Sequence, residues 1–195
     1  MTDQPALAEY LDEHLAVIES VRGLVPEVES LGEEVIARLA RGGVVYSFGN
    51  GGSAADAQHL AGELIGRYCR ERRPLAAVAL STDPTVSTCI GNDYSFDDVF
   101  ARQVTALAGP DDVVVGFTTS GRSPNVVAGL AAGRKAGALT VLLTGHADSG
   151  GGPAAEHADR VLAVASARTA RVQEAHVLLL HLLSEHIDRW AAESS

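Results

Sequence analysis

The stretch Val44-Val45-Tyr46-Ser47-Phe48-Gly49-Asn50-Gly51-Gly52-Ser53-Ala54-Ala55-Asp56-Ala57-Gln58-His59, with Glu63 four residues further on, decides how this chain is read. A nearly continuous apolar run passes into a loop of small residues and then into a helical segment, the unit from which a parallel sheet covered by helices is assembled. Four more runs share the character of the first: Ala76 to Leu80, Val113 to Phe117, Leu139 to Leu143 and Val161 to Val164. Continuous rather than alternating apolarity marks strands buried on both faces. The pattern predicts an α/β fold with a five-stranded parallel sheet. Helices are expected near Ser53 to Tyr68, Phe96 to Leu107, Pro124 to Ala136 and Thr169 to Trp190, with shorter ones near Pro84 to Ile90 and Pro153 to His157.

Two amphipathic helices lead the chain, marked by Leu7, Leu11, Leu15, Ile18 and Val21 and, beyond Pro26, by Val28, Leu31, Val35, Ile36 and Leu39. They have no strand to cover. The last helix is apolar round most of its circumference, from Val172 through Leu178, Leu179, Leu180, Leu182 and Leu183 to Ile187. Such a helix is buried on more than one side, and an oligomer core is the economical explanation. The alternative is cover from the chain's own sheet and leading helices.

The chain has 195 residues, 46% of them hydrophobic, enough for one domain with a sizeable core, and no linker divides it. A formal net charge of -10 argues against a nucleic-acid-binding surface. No apolar stretch reaches the ~20 residues of a membrane span. Acidic Asp3 and Glu9 stand where a signal peptide would be cationic. Cys69 and Cys89 lack CxxC spacing and read as reduced thiols, so a cytoplasmic location is expected.

Two loops have the chemistry of a phosphate site. Gly49, Gly51 and Gly52 let backbone N–H groups approach an anion, and Ser53 can cap the next helix or donate its hydroxyl. The second loop, Thr118-Thr119-Ser120-Gly121-Arg122-Ser123-Pro124, brings four hydroxyls to a helix start, with Ser123 at the N-cap and Pro124 at the first helical position. Neither is a GxGxxG or GxxxxGK[ST] motif, which removes the main support for dinucleotides and nucleoside triphosphates. A phosphate monoester on a small molecule suits this chemistry.

His59 and Glu63 stand at i, i+4, on one helix face, where they can hold a divalent ion or pair a base with its partner. On the final helix, Gln173 and His181 are eight apart, roughly 80° round and about 12 Å along a regular helix. Those two reach a single ion only through a distorted first turn or from neighbouring subunits. His176 and His186 read as polar positions on the helix surface or at an interface. Arg67 could meet a hydroxyl or phosphate or make a surface ion pair. Asn92 and Asp93 could bind sugar hydroxyls or form a turn.

With Gly49-Asn50-Gly51-Gly52-Ser53, Asp56-Ala57-Gln58-His59 with Glu63, Gly66-Arg67-Tyr68, Gly91-Asn92-Asp93, Thr119-Ser120-Gly121 with Ser123 and Asn125, and Arg171-Val172-Gln173-Glu174 with His176 and His181, the chain resembles the phosphoheptose isomerase branch of the SIS (sugar isomerase) family across essentially its whole length. The resemblance implies a single SIS domain over residues 1–195, three-layered and flavodoxin-like, with residues 1–41 as helices packing in a homotetramer. It implies a cytoplasmic enzyme that converts D-sedoheptulose 7-phosphate to D-glycero-D-manno-heptose 7-phosphate at sites shared between subunits. By the same resemblance Thr118, Thr119, Ser120 and Ser123 hold the phosphate with Ser53 close by, and Asn50, Gly51, Gly52, Arg67, Asn92, Asp93 and Gln173 match substrate contacts. His59, Glu63, Gln173 and His181 match ligands of one zinc ion per subunit, and Glu63 and His181 the acid/base pair.

Two positions depart from the family pattern. Ala170 stands where an aspartate is common, and Arg122 where an asparagine is frequent in the phosphate loop. Rival readings are a non-catalytic SIS protein that binds a replication initiator and a phosphosugar-sensing module. Neither needs the His/Glu/Gln/His set.

Overall fold

The computed structural model describes residues 7–147 and 150–193. The first six residues of the expected N-terminal extension lie outside the described residues. Helices α1 (Leu7–Val21) and α2 (Val25–Leu39) precede the α/β body. There follow β1 (Val45–Gly49), α3 (Gly52–Ile65), β2 (Ala77–Ala79), α4 (Pro84–Asp93), α5 (Val99–Leu107), β3 (Val113–Thr118), α6 (Pro124–Ala136), β4 (Leu139–Thr144), β5 (Arg160–Ala163) and α7 (Thr169–Glu193). The five strands are parallel in the order β2-β1-β3-β4-β5.

Every expected strand and helix is present, most with shifted ends; the helix over Pro124–Ala136 keeps its expected bounds, and the short one over Pro153–His157 is a 3-10 helix. Pro124 opens α6 as its ring geometry favours, and Gly137, with φ 80°, closes it in the left-handed conformation. The segment expected as one helix from Phe96 begins with a 3-10 turn, Phe96–Asp98, before α5. Asn92 and Asp93 form the last turn of α4 rather than a loop.

The sheet divides the core in two. Val45, Val113, Val115, Phe117, Leu139, Val141 and Leu143 face a cluster built with α2, α3 and α7. Tyr46, Phe48, Val114 and Leu142 point the other way, to Phe100, Val104, Val126 and Leu130 on α5 and α6. This period-two alternation, with both faces covered, explains why the strands read as continuous apolar runs. The leading helices join the first cluster through Val17, Val21, Val28, Leu31 and Val35, so much of α7 is covered within the chain. An uncovered apolar stripe lies on α1, where Leu7, Leu11 and Leu15 are exposed.

Candidate active site

In an open parallel sheet, ligands bind beyond the carboxyl ends of the strands where strand order reverses. Here that point lies between β1 and β3, whose following loops are the two hydroxyl- and glycine-rich segments. They enclose a cavity of ≈ 320 Å³. Asn50, Gly51, Gly52 and Ser53 line one side, Thr118, Thr119, Ser120 and Ser123 the other, and Thr169 and Gln173 of α7 close it. Gly51 has φ 57° and supplies the N-cap of α3, so the buried Ser53 sits inside the helix and leaves its hydroxyl free of the capping role. Ser123 occupies the N-cap position of α6, but its hydroxyl meets the Thr118 hydroxyl at 3.3 Å instead of capping. Two helix N-termini thus open onto the cavity, with backbone donors and positive dipole ends that favour an anion.

The shape of the second loop depends on Gly121. Its φ of 66° suits glycine, and a Cβ there would overlap the Gly151 carbonyl oxygen. The first loop is tied to α6 by a reciprocal amide pair: Asn50 Nδ2 donates to Asn125 Oδ1 at 2.8 Å, and Asn125 Nδ2 to Asn50 Oδ1 at 2.9 Å. Asn125 is buried. Sequence reasoning assigned it no role beyond its place in the motif, although a polar residue two positions after an N-cap and aimed inward was a usable signal.

Further along α3, His59, Glu63 and His181 bring one ligand atom each within 4.8 Å of one another. His59 Nε2 lies 3.0 Å from Glu63 Oε1 and 3.2 Å from His181 Nε2. With zinc bonds of 2.0–2.2 Å to nitrogen and oxygen, the edge of a ligand tetrahedron measures about 3.3 Å. The cluster therefore fits such an ion in donor type and spacing. Tyr68 packs its ring 5.5 Å from that of His181. Burial, and then the neighbouring His59, lower the pKa of His181 against the opposing pull of Glu63, which favours the neutral imidazole that can ligate or accept a proton.

Gln173 lies in the anion cavity, its amide packed so closely on Gly52 that a Cβ there would displace it. Arg67 is exposed, beside the Cys69 carbonyl and Glu71. Asn92 and Asp93 are exposed and bonded to each other, outside the cavity lining. Arg122 and Ala170 are exposed as well.

His176 corrects the surface reading: it is 0% exposed, with its ring edge-on to Phe117. Its place on the face of Val172, Leu179 and Leu183 overrides its polarity. His186 is partly buried and contacts Glu33 on α2.

Glu63 sits in the last turn of α3, where backbone carbonyls lack helical partners. The buried Arg72 supplies them. Its guanidinium donates to the carbonyls of Glu63, Leu64 and Gly66 at 2.6, 2.8 and 3.3 Å, and to Asp188 Oδ1 at 3.1 Å. Asp188 also accepts the backbone N–H groups of Cys69 and Arg70. Nothing in the local sequence announces this link between residues more than a hundred positions apart.

Set against known proteins, residues 9–145 match the SIS domain family. The phosphoheptose isomerase of Solidesulfovibrio magneticus is 51% identical over 86% of this chain and 80% of its own length. Phosphoheptose isomerase 1 of Campylobacter jejuni is 46% identical over 90% and 93%. The solved phosphoheptose isomerase of Neisseria gonorrhoeae superposes with a TM-score of 0.86 at 40% identity, covering 94% of this chain and 97% of that one. With the anion cavity at the β1/β3 switch point and this likeness along nearly its whole length, the chain belongs to the phosphoheptose isomerase family of SIS-domain proteins.

Proposed function

We propose that the chain isomerises D-sedoheptulose 7-phosphate to D-glycero-D-manno-heptose 7-phosphate. The observation that carries the reading is the Glu63–His59–His181 cluster, built on the two helices, α3 and α7, that also line the anion cavity. Hydroxyls of Ser53, Thr118, Thr119, Ser120 and Ser123, with two helix N-termini, hold the phosphate. Glu63 takes the proton from C1 of the ketose and returns it to C2, through an enediol. His181 carries the accompanying proton from the C1 hydroxyl to the oxygen on C2. His59, Glu63 and His181, with Gln173 as the further donor, hold zinc, which when bound stabilises negative charge on the substrate oxygens.

A homotetramer with shared sites is part of the proposal. The exposed stripe of Leu7, Leu11 and Leu15 supports it, as does the position of Arg67, Asn92 and Asp93 outside the cavity lining, where they would meet substrate only on an assembled surface. A cytoplasmic location fits the two free cysteines, and no helix among the described residues is long and apolar enough to cross a membrane. A non-catalytic binding role would leave the His/Glu cluster without a purpose.

Purified protein incubated with sedoheptulose 7-phosphate tests the reading. Aldose product should form, disappear on chelation and return with zinc. Glu63→Gln should abolish turnover in a folded oligomer, and near-normal activity in that variant would sink the assignment.

A further inference from the structure

Beneath the cluster lies a second pair of groups that the proposed chemistry does not use. Asp56 is 6% exposed and lies one turn before His59 on α3; His176 is 0% exposed and lies one turn after Gln173 on α7. Asp56 Oδ2 and both ring nitrogens of His176 lack a hydrogen bond of ordinary geometry, the His176 ring making only a loose polar contact with the Thr144 backbone. The two side chains face each other with Nδ1 and Oδ2 3.9 Å apart. A buried polar group left unpaired costs about 1–3 kcal/mol, so two such groups opposed across a helix interface need a reason. Approach by about 1 Å would give an ordinary N–H···O bond. That approach runs between the same two helices that carry His59 and Glu63 on one side and His181 on the other.

We infer that Asp56 and His176 are a positioning pair: His176 Nδ1–H donates to the Asp56 carboxylate when His59, Glu63 and His181 hold a divalent ion, and this bond holds α3 against α7. The inference rests on the metal reading of that cluster. The edge contact of His176 with Phe117, the residue before Thr118, extends the same support to the phosphate loop. The pair touches neither substrate nor ion.

The test measures zinc affinity by competition with a chromophoric chelator, on folded protein checked by circular dichroism. Asp56→Ala and His176→Gln should each weaken zinc binding about tenfold or more, the usual scale for partners behind metal ligands. The double variant should be no weaker than the poorer single one, because both remove the same bond. His176→Asn, whose amide occupies the Nδ1 position, should restore most of the affinity that His176→Gln loses. In unaltered protein, the ¹⁵N signal of His176 Nδ1 should move to the protonated, hydrogen-bonded form on zinc addition, a readout that needs no variant. Equal zinc affinity in all variants, additive losses, or an unmoved Nδ1 signal in zinc-bound protein overturns the pairing alone. A wild type that binds no divalent ion overturns the metal reading and the pairing with it.

Discussion

Asn50 and Asn125 exchange two amide hydrogen bonds, 2.8 and 2.9 Å, across the mouth of the sheet, so the loop after β1 and the start of α6 are held as one unit. Asn50 thereby commits one donor and one acceptor to the protein and keeps the rest for a ligand. Asn125→Ala should raise KM for the sugar phosphate about tenfold, equivalent to 1.4 kcal/mol. The half-buried Asn50 amide, left without its partner, should lower stability by about 1 kcal/mol. Steady-state kinetics and a denaturant melt read both, and an unchanged KM would show that the two loops do not act together.

Gly121 and Gly52 should respond differently to alanine. At Gly121 the new Cβ meets the Gly151 backbone, which cannot retreat, and the positive φ adds strain. Gly121→Ala should cost about 1–3 kcal/mol and disrupt anion binding. At Gly52 the obstacle is the end of the Gln173 side chain, so Gly52→Ala should keep its melting temperature while losing turnover. Equal stability losses in the two variants would contradict this.

Asp56 and His176 also make a prediction about pH. Burial pushes the Asp56 carboxyl from 3.8 up to about 6, against a small opposing effect of His59, and burial pushes His176 from 6.5 down to about 4. The folded state thus holds the Asp56 proton more tightly than the unfolded chain, and that contribution is lost as pH rises from 4 to 6. His176 does the reverse: its contribution is present above 6.5 and lost as pH falls to 4. The two nearly cancel. Relative to wild type, His176→Asn should lose stability from pH 4 to 6 and Asp56→Asn should gain it, each by up to about 3 kcal/mol. Guanidinium melts at pH 4, 5 and 6 that slope the same way in both variants would refute the account.

Asp188 sets the acid limit. Burial alone would raise its pKa, but the N–H groups of Arg70 and Cys69, with the guanidiniums of Arg72 and Arg70, hold it below the ordinary carboxylate range. Its stabilising contribution is therefore present above 3.8 and fades as pH falls through its lowered value. Asp188→Asn leaves Arg72 buried beside a neutral partner and should cost about 3–5 kcal/mol at pH 7. A melting temperature within a degree of wild type would argue that the network is idle.

The sheet was legible in the sequence because each strand is buried on both faces and each glycine- or proline-marked boundary has a local cause, as at Pro124. The two anion loops were legible for the same reason, and His59 and Glu63 could be paired because i, i+4 spacing is a local relation. His176 was misplaced because polarity was weighed above its position, although its spacing from Val172, Leu179 and Leu183 sets it on the buried face. Asn50–Asn125, Arg72–Asp188 and Asp56–His176 join residues 75 to 120 positions apart, and only the folded chain brings them together.

Helix ends fray on the nanosecond-to-microsecond scale, yet the carboxylate proposed to move the proton stands at such an end. Arg72 gives that last turn three carbonyl anchors and is itself held by Asp188. The precision of Glu63 is thus borrowed from a segment after the helix. Local opening of residues 66–73 would blur the position of the base, and slow the chemistry, well before the sheet or its core loosened.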